Sequence, residues 1–64
     1  MKINGETVEI KEGIKLDEFL ISSGYDLRKI VVECNGEIID KNSYCEVILN
    51  NKDTYEVVSF VGGG

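Results

Sequence analysis

The chain opens with alternating polar and apolar residues on either side of an Asn-Gly pair. Asn4-Gly5 separates residues 2–3 from residues 6–10, where Val8 and Ile10 lie two positions apart. Asn-Gly is the strongest short-range hairpin signal, because both central residues of such a turn need positive φ. The pattern therefore predicts a hairpin, with Val8 and Ile10 on one face of its second strand.

A helical spacing follows the hairpin. Leu16, Phe19 and Leu20 recur at intervals of three and four residues, which is typical of one apolar helix face. Two acidic residues in the first turn suit the helix dipole, and Gly24 suits a left-handed C-terminal cap. We predict a helix from Leu16 to Ser23, which is too short to be stable alone and must pack on a sheet.

Two β-branched stretches predict the remaining strands, at residues 30–34 and 54–61. Residues 37–39 are a short strand or an irregular extended piece, residues 40–43 and 50–53 are turns, and residues 44–49 have no clear pattern. The expected fold is an α+β roll, a mixed sheet of four to five strands with one main helix packed on one face. The second strand, the helix and the third strand are compatible with a right-handed crossover.

Length and charge limit the classes of function. A chain of 64 residues holds one domain, which we place at residues 1–61, followed by a flexible tail at 62–64. Its net charge of −5 argues against binding to nucleic acid or anionic membranes. The charge either steers the protein towards basic protein surfaces or serves solubility alone. Neither a signal peptide nor a stretch of transmembrane length is recognisable, so a cytoplasmic location is expected.

The two cysteines do not predict a metal site. Cys34 and Cys45 stand in a sequence without histidine, which does not supply the ligands of a zinc site. We expect both to be small core or half-buried residues, as free cysteine commonly is. A redox or sulfur-handling role for either thiol stays open.

The chain ends in Gly62-Gly63-Gly64, directly after the last predicted strand. Three consecutive glycines at one given place arise by chance about three times in ten thousand. Glycine has no Cβ, so such a segment fits a slot that excludes side chains, and it reaches roughly 10 Å beyond the domain. A frayed terminus or a cloning remnant is the alternative explanation.

The reactive group at the tip is the α-carboxylate of Gly64, which needs activation before it can accept sulfur. The sequence contains neither a P-loop for ATP nor a histidine nor a nucleophile–base pair. The chemistry is therefore expected to come from partners. The protein is predicted to be a carrier and not an enzyme, with no bound cofactor and with ATP used by the partner enzyme.

Alternation along the last strand predicts a docking surface beside the tail. Glu56, Val58 and Phe60 share one face, and Val31 and Glu33 of the third strand fall on the same face. The apolar residues form an exposed patch, and the two glutamates would match a basic rim on a partner. A reversed phase, or a bulge that turns Phe60 inward, is the alternative.

In these features the sequence resembles the thiamin-biosynthesis sulfur carriers of the ThiS family over nearly its whole length. The resemblance is carried by the Asn4-Gly5 turn, the helix at 16–20, the segment at 35–39 and the ending at 56–64. Their order and spacing are specific, although each piece alone is weak. Family members often have proline and a basic residue where Asp40-Lys41 stands here, and glycine in the turn at 50–53.

The resemblance implies a ubiquitin-like β-grasp fold and a role for the tail. An E1-like (ThiF-type) enzyme would adenylate Gly64, and sulfur from a cysteine desulfurase persulfide would convert the terminus to a thiocarboxylate. That group would donate sulfur to a ThiG-type thiazole synthase. Gly63 and Gly64 match the family's diglycine, and Gly62 matches an additional glycine found in many members.

Two other functions stay open. The small subunit of molybdopterin synthase shares the fold and the diglycine end, but its members are usually longer and commonly have proline near the tail, and this chain has no proline. A β-grasp interaction module would bind partners without carrying sulfur, and it would have no need of a free glycine terminus. The final sulfur acceptor and the oligomeric state are not determined by the sequence.

Overall fold

The computed structural model describes residues 1–60. Val61 and the predicted tail residues Gly62, Gly63 and Gly64 lie outside the described residues. The sheet and helix elements are β1 (Lys2–Ile3), β2 (Glu6–Thr7), α1 (Leu16–Ser22), β3 (Ile30–Cys34), β4 (Glu37–Ile38) and β5 (Thr54–Ser59), with 3-10 helices at Leu27–Lys29 and Lys41–Ser43.

The five strands form one mixed sheet in the order β2-β1-β5-β3-β4. The central strand β5 runs parallel to β1 and antiparallel to β3. Because β1 and β2 are also antiparallel, β2 and β3 run in the same direction with two strands between them. The connection through α1 is therefore a crossover, and the predicted α+β sheet of four to five strands is confirmed.

The core lies between α1 and one face of the sheet. Leu16 and Leu20 of the helix pack with Ile30, Val32 and Tyr55 of the two longest strands, and each of these five side chains is at most 1% exposed. The helical stripe and the strand alternation thus converge on one apolar layer, as their spacing predicted. Burial of that layer is the main stabilising term for the fold.

Both Asn-Gly pairs form hairpin turns that also hold the central strand. Asn4 and Asn35 have positive φ angles of 50° and 51°. The side-chain oxygen of Asn4 accepts a hydrogen bond from the Val57 N–H at 2.8 Å, and that of Asn35 accepts one from the Thr54 N–H at 3.0 Å. Each turn therefore closes its hairpin and supplies an acceptor to β5.

The structure differs from the sequence-based predictions at several boundaries. β2 ends at Thr7 instead of Ile10, although Val8 and Ile10 remain half-buried. The assigned strand β5 ends at Ser59 instead of Val61. In the patternless segment at 44–49, Tyr44 and Leu49 are buried.

The prediction for Cys45 is wrong. Cys34 is half-buried, as expected, but Cys45 is exposed to solvent. Cys45 directly follows buried Tyr44, within the turn after the second 3-10 helix. In this segment Tyr44 fills the core, so the neighbouring cysteine points outward.

Candidate functional site

The face of the sheet opposite α1 carries the residues predicted to dock partners. Val31 lies opposite Val58 in the β3–β5 register, and Glu33 lies opposite Glu56. Val58 is 52% exposed and Phe60 is 43% exposed, so the predicted phase is correct and no bulge turns Phe60 inward. Val31 is half-buried and contributes less accessible surface than expected.

Ile38 belongs to this face, although the sequence analysis did not include it. It lies opposite Glu33 in the β3–β4 register and is 71% exposed. The signal was available, because a two-residue turn at Asn35-Gly36 dictates which residues of the flanking strands oppose each other. The open face therefore combines Val31, Val58, Phe60 and Ile38 with the two glutamates, and we call these six residues the outer patch.

Among residues 1–60, no basic side chain forms an ion pair with either glutamate of the outer patch. Glu33 and Glu56 are directly opposed on adjacent strands, where like charges destabilise a sheet. The one ion pair among residues 1–60 joins Arg28 to Asp26, at 3.2 Å between Nε and Oδ1, and it contacts neither glutamate. A cationic side chain from another molecule would relieve the repulsion between them.

Phe60, the last described residue, is held to the body of the protein by two contacts. Its N–H donates to the Lys29 carbonyl at 3.0 Å, which continues the β3–β5 ladder. The Lys41 ammonium lies 5.3 Å from the centroid of the Phe60 ring, within the range of a cation–π interaction. Lys41 also donates to the Arg28 carbonyl at 3.3 Å. Its side chain therefore connects the two 3-10 helices with Phe60, the residue that precedes Val61 and the three glycines.

On the inner side of the sheet, the polar group of Tyr55 is enclosed by hydrogen bonds. Its hydroxyl donates to Asp53 Oδ2 at 3.3 Å and accepts from the Asn50 N–H at 3.4 Å. Burial raises the pKa of Tyr55 to about 12. The Asn35 side-chain amide also donates to Asp53, at 3.1 Å, so the cluster joins β5 to the second hairpin turn.

Cys34 lies beside this cluster, and its thiol is not activated. Burial, followed by the negative charge of Asp53, raises the pKa of the Cys34 thiol. Reactive cysteines require the opposite shift, towards thiolate. The position of Cys34 therefore suits a structural role and not nucleophilic chemistry.

Residues 1–60 contain neither a cluster of metal-ligating side chains nor a membrane-spanning helix. They contain no group of three or more cysteine, aspartate or glutamate side chains that could hold a metal ion. Within the same residues, no helix has the length and apolar character needed to cross a membrane.

Comparison with known proteins shows a full-length likeness to one family. The family model described as "ThiS family" matches residues 1–64. The chain is 38% identical over 65 residues to the sulfur carrier protein ThiS of Bacillus subtilis, covering 100% of this chain and 98% of that protein. It is also 42% identical over 62 residues to a thiazole synthase of Paramagnetospirillum magneticum, of which it spans only 19% of the length.

A solved structure supports the same likeness. The crystal structure of the thiamine biosynthesis protein ThiS from Geobacter metallireducens matches with a TM-score of 0.76 and 27% sequence identity. The match covers 98% of this chain and 96% of that one. The expected ubiquitin-like β-grasp fold is thereby confirmed.

Proposed function

Since this chain belongs to the ThiS family, we propose that it is a sulfur carrier in thiamin biosynthesis, with the sulfur held as a thiocarboxylate at Gly64. The observation that carries the proposal is the full-length match to a sulfur carrier protein, in a sequence that ends in Gly62-Gly63-Gly64. Neither the small subunit of molybdopterin synthase nor a plain interaction module accounts for that match as directly.

The proposed chemistry takes place on the terminal carboxylate, in the active sites of partner enzymes. A carboxylate oxygen of Gly64 attacks the α-phosphorus of ATP, pyrophosphate leaves, and an acyl-adenylate forms. A persulfide that originates from a cysteine desulfurase then displaces AMP. In the resulting acyl disulfide, a second thiol attacks the donor's own sulfur, forms a disulfide with it and releases the thiocarboxylate. The carrier binds no cofactor in this scheme, and ATP is a substrate of the E1-like, ThiF-type enzyme.

The tail is suited to this task because glycine adds no bulk. Gly62 and Gly63 would thread a narrow channel and place Gly64 at the reacting phosphate. A side chain at any of these positions would clash with a slot shaped for the backbone. We assign residues 1–61 to the domain that docks and residues 62–64 to the tail that enters the partner.

The outer patch would hold the domain against its partners. Val58 lies on β5 and Phe60 directly follows that strand, and both are exposed. Val31 lies opposite Val58 in the register. Glu33 and Glu56 would meet basic residues at the partner's rim. Thiazole synthase is the expected sulfur acceptor, a role supported by the similar segments within two proteins of that name.

The decisive experiment is a measurement of intact mass. The purified chain is incubated with its E1-like enzyme, ATP, a cysteine desulfurase and cysteine. A gain that corresponds to the exchange of one oxygen for sulfur at Gly64 supports the proposal. An unchanged mass, with an enzyme that modifies another carrier under the same conditions, contradicts it. A control chain extended by one residue beyond Gly64 should gain no mass.

A further inference from the structure

The central strand β5 is paired over its full length on one side only. Towards β3, the register includes every residue from Tyr55 to Ser59, and the Phe60 N–H extends the ladder to the Lys29 carbonyl at 3.0 Å. Towards β1, the pairing ends where Ile3 lies opposite Tyr55. The second half of β5, which leads into the tail, therefore has an open edge.

Asn4 marks the point at which that edge opens. Its N–H donates to the Tyr55 carbonyl at 3.0 Å, and the chain then turns away into the hairpin. Its side-chain oxygen accepts the Val57 N–H at 2.8 Å, in place of the carbonyl that a longer strand would provide. Ser59 lies two residues further on, and no group among residues 1–60 bonds its N–H from this side.

Ser59 directs both of its backbone groups to the open edge. Successive residues of a strand direct their N–H and C=O groups to alternate sides, and the Phe60 N–H is directed to β3. The groups of Ser59 therefore face away from β3, and Ser59 is exposed. One donor and one acceptor on the same residue form half of an antiparallel hydrogen-bonded pair, which makes this edge a template for strand addition.

The surface beside this edge is suited to a side chain of an added strand. A pocket of about 260 Å³ lies beside Ser59, and its lining is mixed: it includes Gly24, Tyr25, Asp26, Lys29, Ile30 and Phe60. Tyr25 also lines a neighbouring pocket of about 410 Å³, whose apolar walls include Ile3, Val8 and Phe19. An extended peptide at the edge would therefore meet apolar and charged side chains as well as backbone groups.

We propose that the adenylating enzyme that receives the tail adds an extended segment of its own backbone to this edge, paired with Ser59 as a further strand beside β5. The proposal rests on the proposed function and adds the backbone contact through which the partner aligns the tail. Ser59 stands five residues before Gly64, a span of at most about 18 Å. Pairing at Ser59 directs β5, and the tail with it, along the axis of the added strand.

Amide hydrogen exchange measured by NMR tests the proposal with an internal control. In the free protein we expect the Ser59 amide to exchange quickly and the Phe60 amide, which bonds to the Lys29 carbonyl, to exchange slowly. In the complex with the E1-like enzyme, exchange at Ser59 should slow by about tenfold or more, while the Phe60 amide stays slow in both states. An unprotected Ser59 amide in a complex that adenylates Gly64 overturns the inference.

A backbone substitution separates pairing from simple burial. Chemical synthesis of the 64-residue chain allows the Ser59 amide N–H to be replaced by an ester oxygen, and Ser59→Ala is the control that keeps the N–H. The ester should raise the Kd for the enzyme about tenfold, the effect of one hydrogen bond, whereas Ser59→Ala, which keeps the N–H and loses only the hydroxyl, should raise it far less. Melting temperatures of the free chains establish that both are folded, and equal Kd values for ester and wild type overturn the inference.

Failure of the inference differs from failure of the proposed function. Suppose that the wild-type chain is adenylated, but that the Ser59 amide is unprotected in the complex and the ester binds as tightly as wild type. These results overturn only the strand addition. If the wild-type chain is not adenylated by an active enzyme, the carrier function is overturned, and the added strand with it.

Discussion

Glu33 and Glu56 face each other across β3 and β5 on the open side of the sheet. Val31 and Val58 form the next pair on the same face. Two carboxylates beside an apolar pair are poorly placed for stability and well placed to receive a cation from another molecule. The two glutamates thus lower the stability of the free protein and favour the binding of a basic partner.

Removal of one of these charges should stabilise the free protein. For Glu56→Gln we expect the free energy of unfolding to rise by a few tenths of a kcal/mol, because the cross-strand repulsion disappears. Urea unfolding at low and high salt measures the effect, which should shrink as salt screens the charges. Glu6→Gln is the matched control, since Glu6 is an exposed strand residue that lies opposite Ile3. A loss of stability in Glu56→Gln would contradict the interpretation.

Phe60 should contribute more to binding than to folding. Its ring is 43% exposed, so Phe60→Ala should leave the domain folded, while the Kd for the E1-like enzyme rises about tenfold. Calorimetric titration measures the binding, and circular dichroism verifies the fold. Ile21→Ala is the control, because Ile21 is 62% exposed but lies on α1, away from the outer patch. Equal effects of the two variants, or unfolding of Phe60→Ala, would rule out the docking role.

Local patterns in the sequence predicted the elements of the fold because each depends on short spacings. The hairpin turns at Asn4 and Asn35 follow from the conformational preference of Asn-Gly. The burial of Leu16 and Leu20 follows from the helical period. The exposure of Phe60 follows from strand alternation once Glu56 is taken to mark the open face. None of these inferences requires knowledge of which strands are neighbours.

The contacts that join distant parts of the chain were not predictable in this way. The hydrogen bond from Val57 to the Asn4 side chain spans 53 positions in sequence. The position of Lys41 over the Phe60 ring depends on a 3-10 helix within a segment predicted only as a turn. Cys45 was misplaced for a related reason, because residues 44–49 carry no period from which their burial could be inferred.

The two cysteines should differ in their reaction with a maleimide. Cys45 is exposed, whereas Cys34 is half-buried and its thiol has a pKa raised by burial and by Asp53. Cys45 should therefore be modified several-fold faster in the native protein, and the difference should vanish in denaturant. Mass spectrometry of Cys34→Ser and Cys45→Ser measures each thiol alone. Equal native rates would show that Cys34 is more accessible than its packing indicates.

Tyr55 should make the protein less stable at alkaline pH. Its pKa is raised by burial from 10.0 to about 12, so above pH 10 the unfolded chain loses the phenol proton while the folded protein retains it. The contribution of Tyr55 to the free energy of unfolding is therefore fully present below pH 10 and is lost between pH 10 and 12. At pH 11 the free energy of unfolding should be lower than at neutral pH by about 1.4 kcal/mol. Urea unfolding of wild type and Tyr55→Phe at pH 9 and pH 11 isolates this contribution, because Tyr55→Phe lacks the titrating group and retains the ring. Parallel losses in the two proteins would show that the phenol ionises as readily when folded as when unfolded.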